Sequence, residues 1–269
     1  MHIVVCIKQV PDSTQVKIDP VTNTLMRQGV PSIINPYDIF AIEEALRIKD
    51  KFGAKITAIS MGPPQAKDAL KKAVSLGIDE AVLLSDRAFA GADTLATSYC
   101  LACGIKALNK ENPVDLVICG KQTVDGDTAQ VGPGIAVRLG FSQLTYIEKI
   151  EKIDFERKEI FVYRHAEKGK QYLKSRLPAV ITVLDGINEL RYAPLPELFR
   201  AARYQVKAWD KKLIEIDENL CGMKGSPTAV KRVFAPTPRQ RGEMVSFNER
   251  NPEETARALT EKLLINKNG

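Results

Sequence analysis

The chain has 269 residues, with 39 Lys and Arg against 33 Asp and Glu, a formal charge of +6. At 44% hydrophobic and 27% charged, its composition excludes a disordered chain, a collagen and a small disulfide scaffold. No apolar run approaches the ~20 residues of a membrane span, the N-terminus does not read as a signal peptide, and the mild basic excess permits acidic partners without requiring nucleic acid.

In chain order, residues 3–7 form an apolar, β-branched-rich run, which predicts a strand buried on both faces. Residues 25–35 look irregular, with a turn expected at 21–24 between two short excursion strands. Asn35-Pro36-Tyr37-Asp38 then opens a helix. Asn35 suits the N-cap, Pro36 the first helical position, and Asp38 a capping-box-like pair. Gly53 suits the position past the helix end. The cycle repeats: strand 55–60, helix 65–75 stopped by Gly77, strand 81–84, helix 93–108 capped by Asp93, strand 115–119, and helix 128–139 ended by Gly140. This alternation predicts a doubly wound, mainly parallel α/β sheet. After Gly140 the pattern changes. Segments 144–153 and 159–164 read as an antiparallel hairpin extending the sheet, 179–183 as a strand and 195–203 as a short helix.

From residue 214 the composition is that of a C-terminal arm. Residues 224–241 carry three prolines, five basic residues and no acid, lack periodicity and do not suit a core. Residues 252–264 read as a terminal helix too poor in apolar surface to stand alone. The expected organisation is a nucleotide-binding domain at 1–213 and an arm at 214–269 that wraps a partner. Nucleic acid is a weaker reading of the basic arm, because Phe234 is its one aromatic and no recognition motif accompanies it.

The five cysteines are odd in number and come without a secretory signal, which points to a reducing, cytoplasmic compartment. Cys100 and Cys103 fall mid-helix, where buried small side chains are expected rather than a redox pair. With two histidines, His2 and His165, neither a zinc site nor a Ser-His-Asp triad finds a convincing neighbourhood. His165 reads as a surface residue and Trp209 as packing or interface.

The chemistry-bearing stretch is 120–132, G-K-Q-T-V-D-G-D-T-A-Q-V-G. It follows a predicted strand and precedes a predicted helix, where ligands of open parallel sheets sit and helix amides favour an anion. Taken alone, it reads equally as a phosphate site or as a loop with two acidic caps, Asp125 and Asp127. Other strand ends converge on the same edge: 6–8, 60–64 and 85–94. Together they describe a crevice of backbone amides, hydroxyls and one arginine, suited to an adenosine and a pyrophosphate. Arg87 is favoured as a ligand contact over a solvated charge, while Lys8 stays open between the two.

At these residues the sequence resembles the β subunit of electron-transfer flavoproteins over nearly its whole length. The resemblance rests on V-x-x-K-Q-V-P-D near the start, N-P-Y-D at 35–38, M-G-P-P at 61–64, R-Y-A-x-L-P at 191–196 and, above all, 120–132. It implies a heterodimer with an α subunit and a nucleotide in the β subunit. That nucleotide is AMP in the respiratory type and a second FAD in the bifurcating type. Residues 85–94 and 224–228 resemble the bifurcating group, in which the β-subunit flavin exchanges a hydride with NAD and splits the electron pair. The acceptors would then be a partner flavin dehydrogenase and a low-potential protein such as ferredoxin or flavodoxin. Carried over residue by residue, nucleotide contacts fall at Cys6, Asn35, Pro36, Tyr37, Asp38 and Met61. They continue through Gly120, Lys121, Gln122, Thr123, Val124, Asp125, Gly126, Asp127, Thr128, Ala129, Gln130 and Val131. Thr94 and Thr97 are implied contacts of the flavin part. Segment 188–203 matches the family's recognition loop, with Leu195 as the docking residue between Pro194 and Pro196. No side chain is required as nucleophile or general base, and no metal is implied. A non-redox nucleotide sensor is the remaining alternative.

Overall fold

A computed structural model describes residues 1–12, 17–18, 25–26, 31–229 and 251–265. The chain divides into two compact units, Met1–Arg232 and Val233–Gly269.

The first unit is built on a nine-stranded sheet. Its strands are β1 (His2–Cys6), β6 (Lys55–Met61), β7 (Glu80–Leu84), β8 (Leu116–Gly120), β9 (Ser142–Asp154), β10 (Glu159–Ala166), β11 (Gly169–Arg176), β12 (Ala179–Val183) and β13 (Lys207–Trp209). Their spatial order is β11-β10-β9-β12-β8-β1-β6-β7-β13. Pairing is parallel from β13 to β9 and antiparallel for β9-β10 and β10-β11. Two antiparallel pairs lie outside this sheet: β2 (Gln9–Pro11) with β5 (Ser32–Ile34), and β3 (Lys17–Ile18) with β4 (Leu25–Met26). The latter agree with the expected excursion strands, while the turn expected at 21–24 lies outside the described residues.

Helices cover both faces. α1 (Pro36–Phe52) and α2 (Lys67–Ser75), with α5 (Leu195–Arg203), pack on one face; α3 (Thr94–Glu111) and α4 (Val131–Leu139) pack on the other. Two apolar layers result, one on each side of the sheet. β1 is buried along its whole length, as a strand covered on both faces must be. His2 is a satisfied core residue, its imidazole bonded to Asn112 O at 3.0 Å and Thr57 Oγ1 at 2.9 Å.

Local signals act largely as read. Gly53 and Gly140 close α1 and α4 in the left-handed conformation, and Asp93 caps α3 through Leu95 N and Ala96 N. Cys100 and Cys103 are buried in α3, and all five cysteines are free.

Four expectations need correction. Asn35 occupies the N-cap of α1 but makes no side-chain cap bond, because its amide is committed elsewhere, as described below. Asp38 does not close a capping box; its carboxylate accepts from Lys8 N at 2.7 Å. Helix 65–75 splits into a short 3-10 turn, Pro64–Ala66, and α2. The helix expected from Thr128 starts at Val131, since Asp127 and Ala129 have φ of 51° and 55°, which no right-handed helix accommodates. The structure also adds four strands, β2 and β5 in a pair of their own and β11 and β13 at the sheet's edges. β11 is mostly exposed and shows no alternation to read, and β13 is only three residues long.

The first unit continues to Arg232, past the expected 213/214 boundary. Ile214 and Cys221 are 4% and 1% exposed in the core layer of α3. In the second unit the described element is α6 (Pro252–Ile265), on which Leu259, Leu263 and Leu264 are exposed.

Candidate functional site

β1 leads through α1 to β6 on one side of the sheet. β8, on the other side of β1, leads through α4 to β9, farther away on that same side. The carboxyl ends of β1 and β8 therefore diverge, and this switch point is where open α/β sheets bind ligands. A cavity of about 880 Å³ opens there, floored by Cys6, Ile7, Cys119 and Gly120 and running past Met61 to Arg87 and Thr97.

The loop from β8 to α4 forms one wall. Thr123 O accepts from Gly126 N at 3.2 Å and Asp127 N at 2.8 Å. Asp127 and Ala129 then take left-handed conformations, each costing on the order of 1–3 kcal/mol in a non-glycine residue. Such alternation turns successive amides toward one concavity and makes an anion nest. α4 follows with no side-chain cap, so its first amides stay available to a ligand. Val131 and Gly132, at its start, line the cavity.

Asn35 holds this loop from beneath. Fully buried, it donates from Nδ2 to Gln122 O at 2.8 Å and accepts from Val124 N at 3.1 Å through Oδ1. Gln122 Nε2 in turn donates to Asp127 Oδ1 at 2.7 Å. Lys8 Nζ grips both oxygens of Asp125, at 2.9 and 2.7 Å. Partial burial opposes ionisation of Asp125, but the Lys8 and Thr123 hydrogen bonds and the Lys8 charge outweigh it and hold the carboxyl below its ordinary range. Across the cavity, Thr94 Oγ1 donates to Gln130 Oε1 at 3.1 Å.

Asp38 joins the two strand ends. It is 5% exposed and accepts from the backbone amides of Lys8 and Gly120. Burial pushes its carboxyl up to about 7, against the lowering effect of Asn35 and those amides. Gly120 is obligatory beside it: a Cβ there would lie 2.7 Å from the carbonyl carbon of Tyr37 and would collide with Asp38 Oδ1. Cys6 and Cys119 face each other in register on β1 and β8. The hydrogen bond with Cys119 and burial keep the Cys6 thiol protonated, so Cys6 belongs to the floor and supplies no nucleophile.

Of the residues singled out from sequence, Cys6, Asp38, Met61, Arg87, Thr94, Thr97, Gly120, Lys121, Gln122, Thr123, Gly126, Thr128, Ala129, Gln130 and Val131 line the cavity. Asn35, Val124, Asp125 and Asp127 stand behind the lining as supports. Pro36 starts α1, and Tyr37 places its ring 5.7 Å from Lys121 Nζ. Sequence reading misses Leu101 and Cys119 in the lining; the matched register of Cys119 with Cys6 is visible only once the strands are paired. Among the described residues no cluster of metal-ligating side chains occurs, and no helix is long and apolar enough to cross a membrane.

A second surface lies farther along α1. The irregular chain after β12 is riveted to that helix by carboxylates, of which Glu43 and Glu44 are buried and Asp50 is exposed. Arg191 donates to both oxygens of Glu43, at 2.8 and 3.0 Å, and to Asp50 at 2.8 Å. Asn188 Nδ2 donates to Phe40 O at 3.0 Å and Glu44 Oε2 at 2.9 Å. Burial raises the Glu44 carboxyl, opposed by the Asn188 bond. Beyond this clamp, Arg200 pins α5 to Ile78 O at 2.6 Å and Val74 O at 3.0 Å. Large apolar side chains face outward: Tyr192 is 96% exposed and Leu195 64%, with Leu198 and Phe199 beside them.

Comparison with known proteins matches residues 22–213 to the electron transfer flavoprotein domain. The chain is 56% identical to protein FixA of Azotobacter vinelandii, over 98% of its own length and 94% of that protein. It is 51% identical to protein FixA of Bradyrhizobium diazoefficiens, over 99% and 92%. With the electron transfer flavoprotein subunit beta of Clostridium acetobutylicum it shares 49% identity, over 91% and 92%.

Proposed function

The chain belongs to the electron transfer flavoprotein family, as a β-type subunit acting in electron transfer, and from that premise we propose that its crevice binds FAD and serves electron bifurcation or confurcation in a heterodimer with an α subunit. The observation that carries the cofactor reading is the uncapped start of α4 set against the left-handed loop, in one cavity that continues to Arg87 and Thr97. Its volume of about 880 Å³ lies in the upper part of the range for ligand pockets, ~300–1,000 Å³. That extent suits a dinucleotide better than AMP.

Each part of the crevice has a role in this reading. Amides at 126–132 receive the pyrophosphate, Asn35 and Asp125 keep that loop in place, and Met61, Thr94 and Thr97 border the flavin. Bound FAD would supply the redox chemistry, taking a hydride from NADH and releasing single electrons. The protein's own part is to bind, orient and shield. Cys6 is held protonated, and this reading requires no side chain as nucleophile or general base.

The clamped segment at 188–203 serves as the docking surface for a flavin-containing dehydrogenase, with Leu195 as anchor. Because Asn188, Arg191 and Arg200 fix it in advance, little ordering entropy opposes docking. A ferredoxin or flavodoxin is the low-potential partner. The chain beyond Arg232 reaches for the α subunit, with Leu259, Leu263 and Leu264 as its apolar contact. Five free thiols suit a cytoplasmic setting.

The test is a cofactor count on the purified heterodimer. Two FAD per heterodimer and oxidation of NADH support the reading. One FAD with one AMP, and no NADH oxidation, replaces it with the respiratory type.

A further inference from the structure

The cavity wall formed by residues 86–94 is fastened from outside by a segment the chemistry does not use. After β13 the chain folds back over this wall. Asp86 Oδ2 accepts from Lys211 N at 3.3 Å, and Tyr99 Oη accepts from Asp217 N at 2.9 Å. Cys221 then buries against α3, its thiol donating to Asp217 O at 3.2 Å.

The contacts tighten at Gly222–Thr228. Asp93 N donates to Ser226 Oγ at 2.8 Å, and Ser226 Oγ donates onward to Gly222 O at 2.6 Å. Asp93 Oδ2 accepts from Thr228 Oγ1 at 2.9 Å and Thr228 N at 3.2 Å. The other oxygen of the same carboxylate caps α3 through Leu95 N at 2.9 Å and Ala96 N at 3.1 Å. One side chain therefore ties three things: the wall, the start of α3 and the overlying segment. Backbone packs directly on backbone here. Gly222, with φ of 51°, sits where a Cβ would collide with Ala88 O, and a Cβ on Gly91 would lie 2.6 Å from Met223 Cγ.

We propose that residues 221–228 are a positioning strap for the distal part of the crevice, with Ser226 and Thr228 acting through Asp93 to set Thr94, Thr97 and Arg87 against the ligand. Hydrogen bonds to an ionised carboxylate are roughly twice as strong as neutral ones, which makes Asp93 an efficient fastening point. None of the hydrogen bonds that fasten the strap reaches residues 120–131, which in the FAD reading hold the adenosine and phosphate. Its main effect falls on what a dinucleotide adds beyond the first phosphate, with the Thr94–Gln130 bond as the link to the 120–131 loop. This inference rests on the FAD reading above.

The experiment uses the intact heterodimer stripped of β-site nucleotide and titrated separately with FAD and AMP. Thr228→Val removes a donor to Asp93, and Thr228→Ser keeps it. The expected result is an approximately tenfold weaker FAD affinity for Thr228→Val, AMP affinity within twofold of wild type, and recovery in Thr228→Ser. Should Thr228→Val fail to assemble, Ser226→Ala carries the same comparison. FAD affinity unchanged in both variants, or FAD and AMP weakened alike, overturns the strap. A wild-type heterodimer that takes AMP and refuses a second FAD overturns the cofactor reading, and the strap's role falls with it.

Discussion

α1 carries a different kind of construction at each end. At its start, the crevice is made of backbone. Strand ends, left-handed turns and a glycine with no room for a Cβ bring amides together, and side chains such as Asn35 work from behind. Farther along, the segment proposed for docking is made of side chains. Charged groups are buried below it, and apolar groups are left in water above it. A nucleotide site built from amides depends on sterics that tolerate little change. A protein-docking surface built on a charge clamp can lose its partner while its own fold survives.

The sharpest way to break the crevice is Gly120→Ala. The added Cβ meets Tyr37 backbone and the Asp38 carboxylate, neither of which is the free end of a flexible chain. A loss of about 3 kcal/mol in stability is expected, with loss of bound nucleotide, read by chemical denaturation and cofactor analysis. Dehydrogenase docking per folded molecule should stay intact.

Asp38 supplies a pH test of the same end. Its folded pKa of about 7 lies above the ordinary 3.8 because of burial, so the native state holds a proton that the unfolded chain releases. The stability tied to this group is fully present below about pH 4 and is lost as pH rises through 7, by at most about 4 kcal/mol. Asp38→Asn should flatten the unfolding free energy between pH 4 and 7 relative to wild type. Parallel profiles for the two proteins would assign the carboxyl an ordinary pKa.

Arg191→Ala probes the clamp. It leaves Glu43, whose side chain is 6% exposed, buried without its main partner, at a cost of about 2 kcal/mol. Partner-dehydrogenase reduction should slow through a higher KM for the partner, with nucleotide content unchanged. Nucleotide loss in this variant would erase the distinction between the two ends.

Leu195→Ala is the mildest change. The side chain is largely exposed, so stability should move by less than about 0.5 kcal/mol. Electron transfer to the dehydrogenase should slow by about tenfold at sub-saturating partner, as for loss of an interface anchor, while NADH-dependent flavin reduction holds. Equal slowing of both rates would remove Leu195 from the docking assignment.

Local chemistry explains what could be read in advance. The buried run of β1, Pro36 at the start of α1, the Asp93 cap and the glycine stops each depend on neighbours within a few residues, and so does the 120–132 motif. The misses depend on distance. Asn35 looks like a cap, yet its amide is satisfied by a loop 87 and 89 positions away. Arg191 reads as part of a motif, while Glu43, its partner 148 positions back, looks like any acid on a helix. β13 becomes a strand only because β7 offers it an edge. The strap at 221–228 reads as the start of an arm, since its glycines and small polar residues carry no periodicity; its packing against Ala88 and Gly91 is what makes it part of the body.

The sheet's longer edge bears on how the chain meets copies of itself. β13 and β11 are its two edge strands; β13 has three residues, whereas β11 has eight and is mostly exposed. An unpaired strand invites a second copy of itself. Here β11 carries Lys170, Lys174 and Arg176, with Lys170 and Lys174 paired to Glu148 and Glu159, so charged side chains line the edge a second copy would have to join. Charged residues on an edge strand are a common means of disfavouring edge-to-edge self-association.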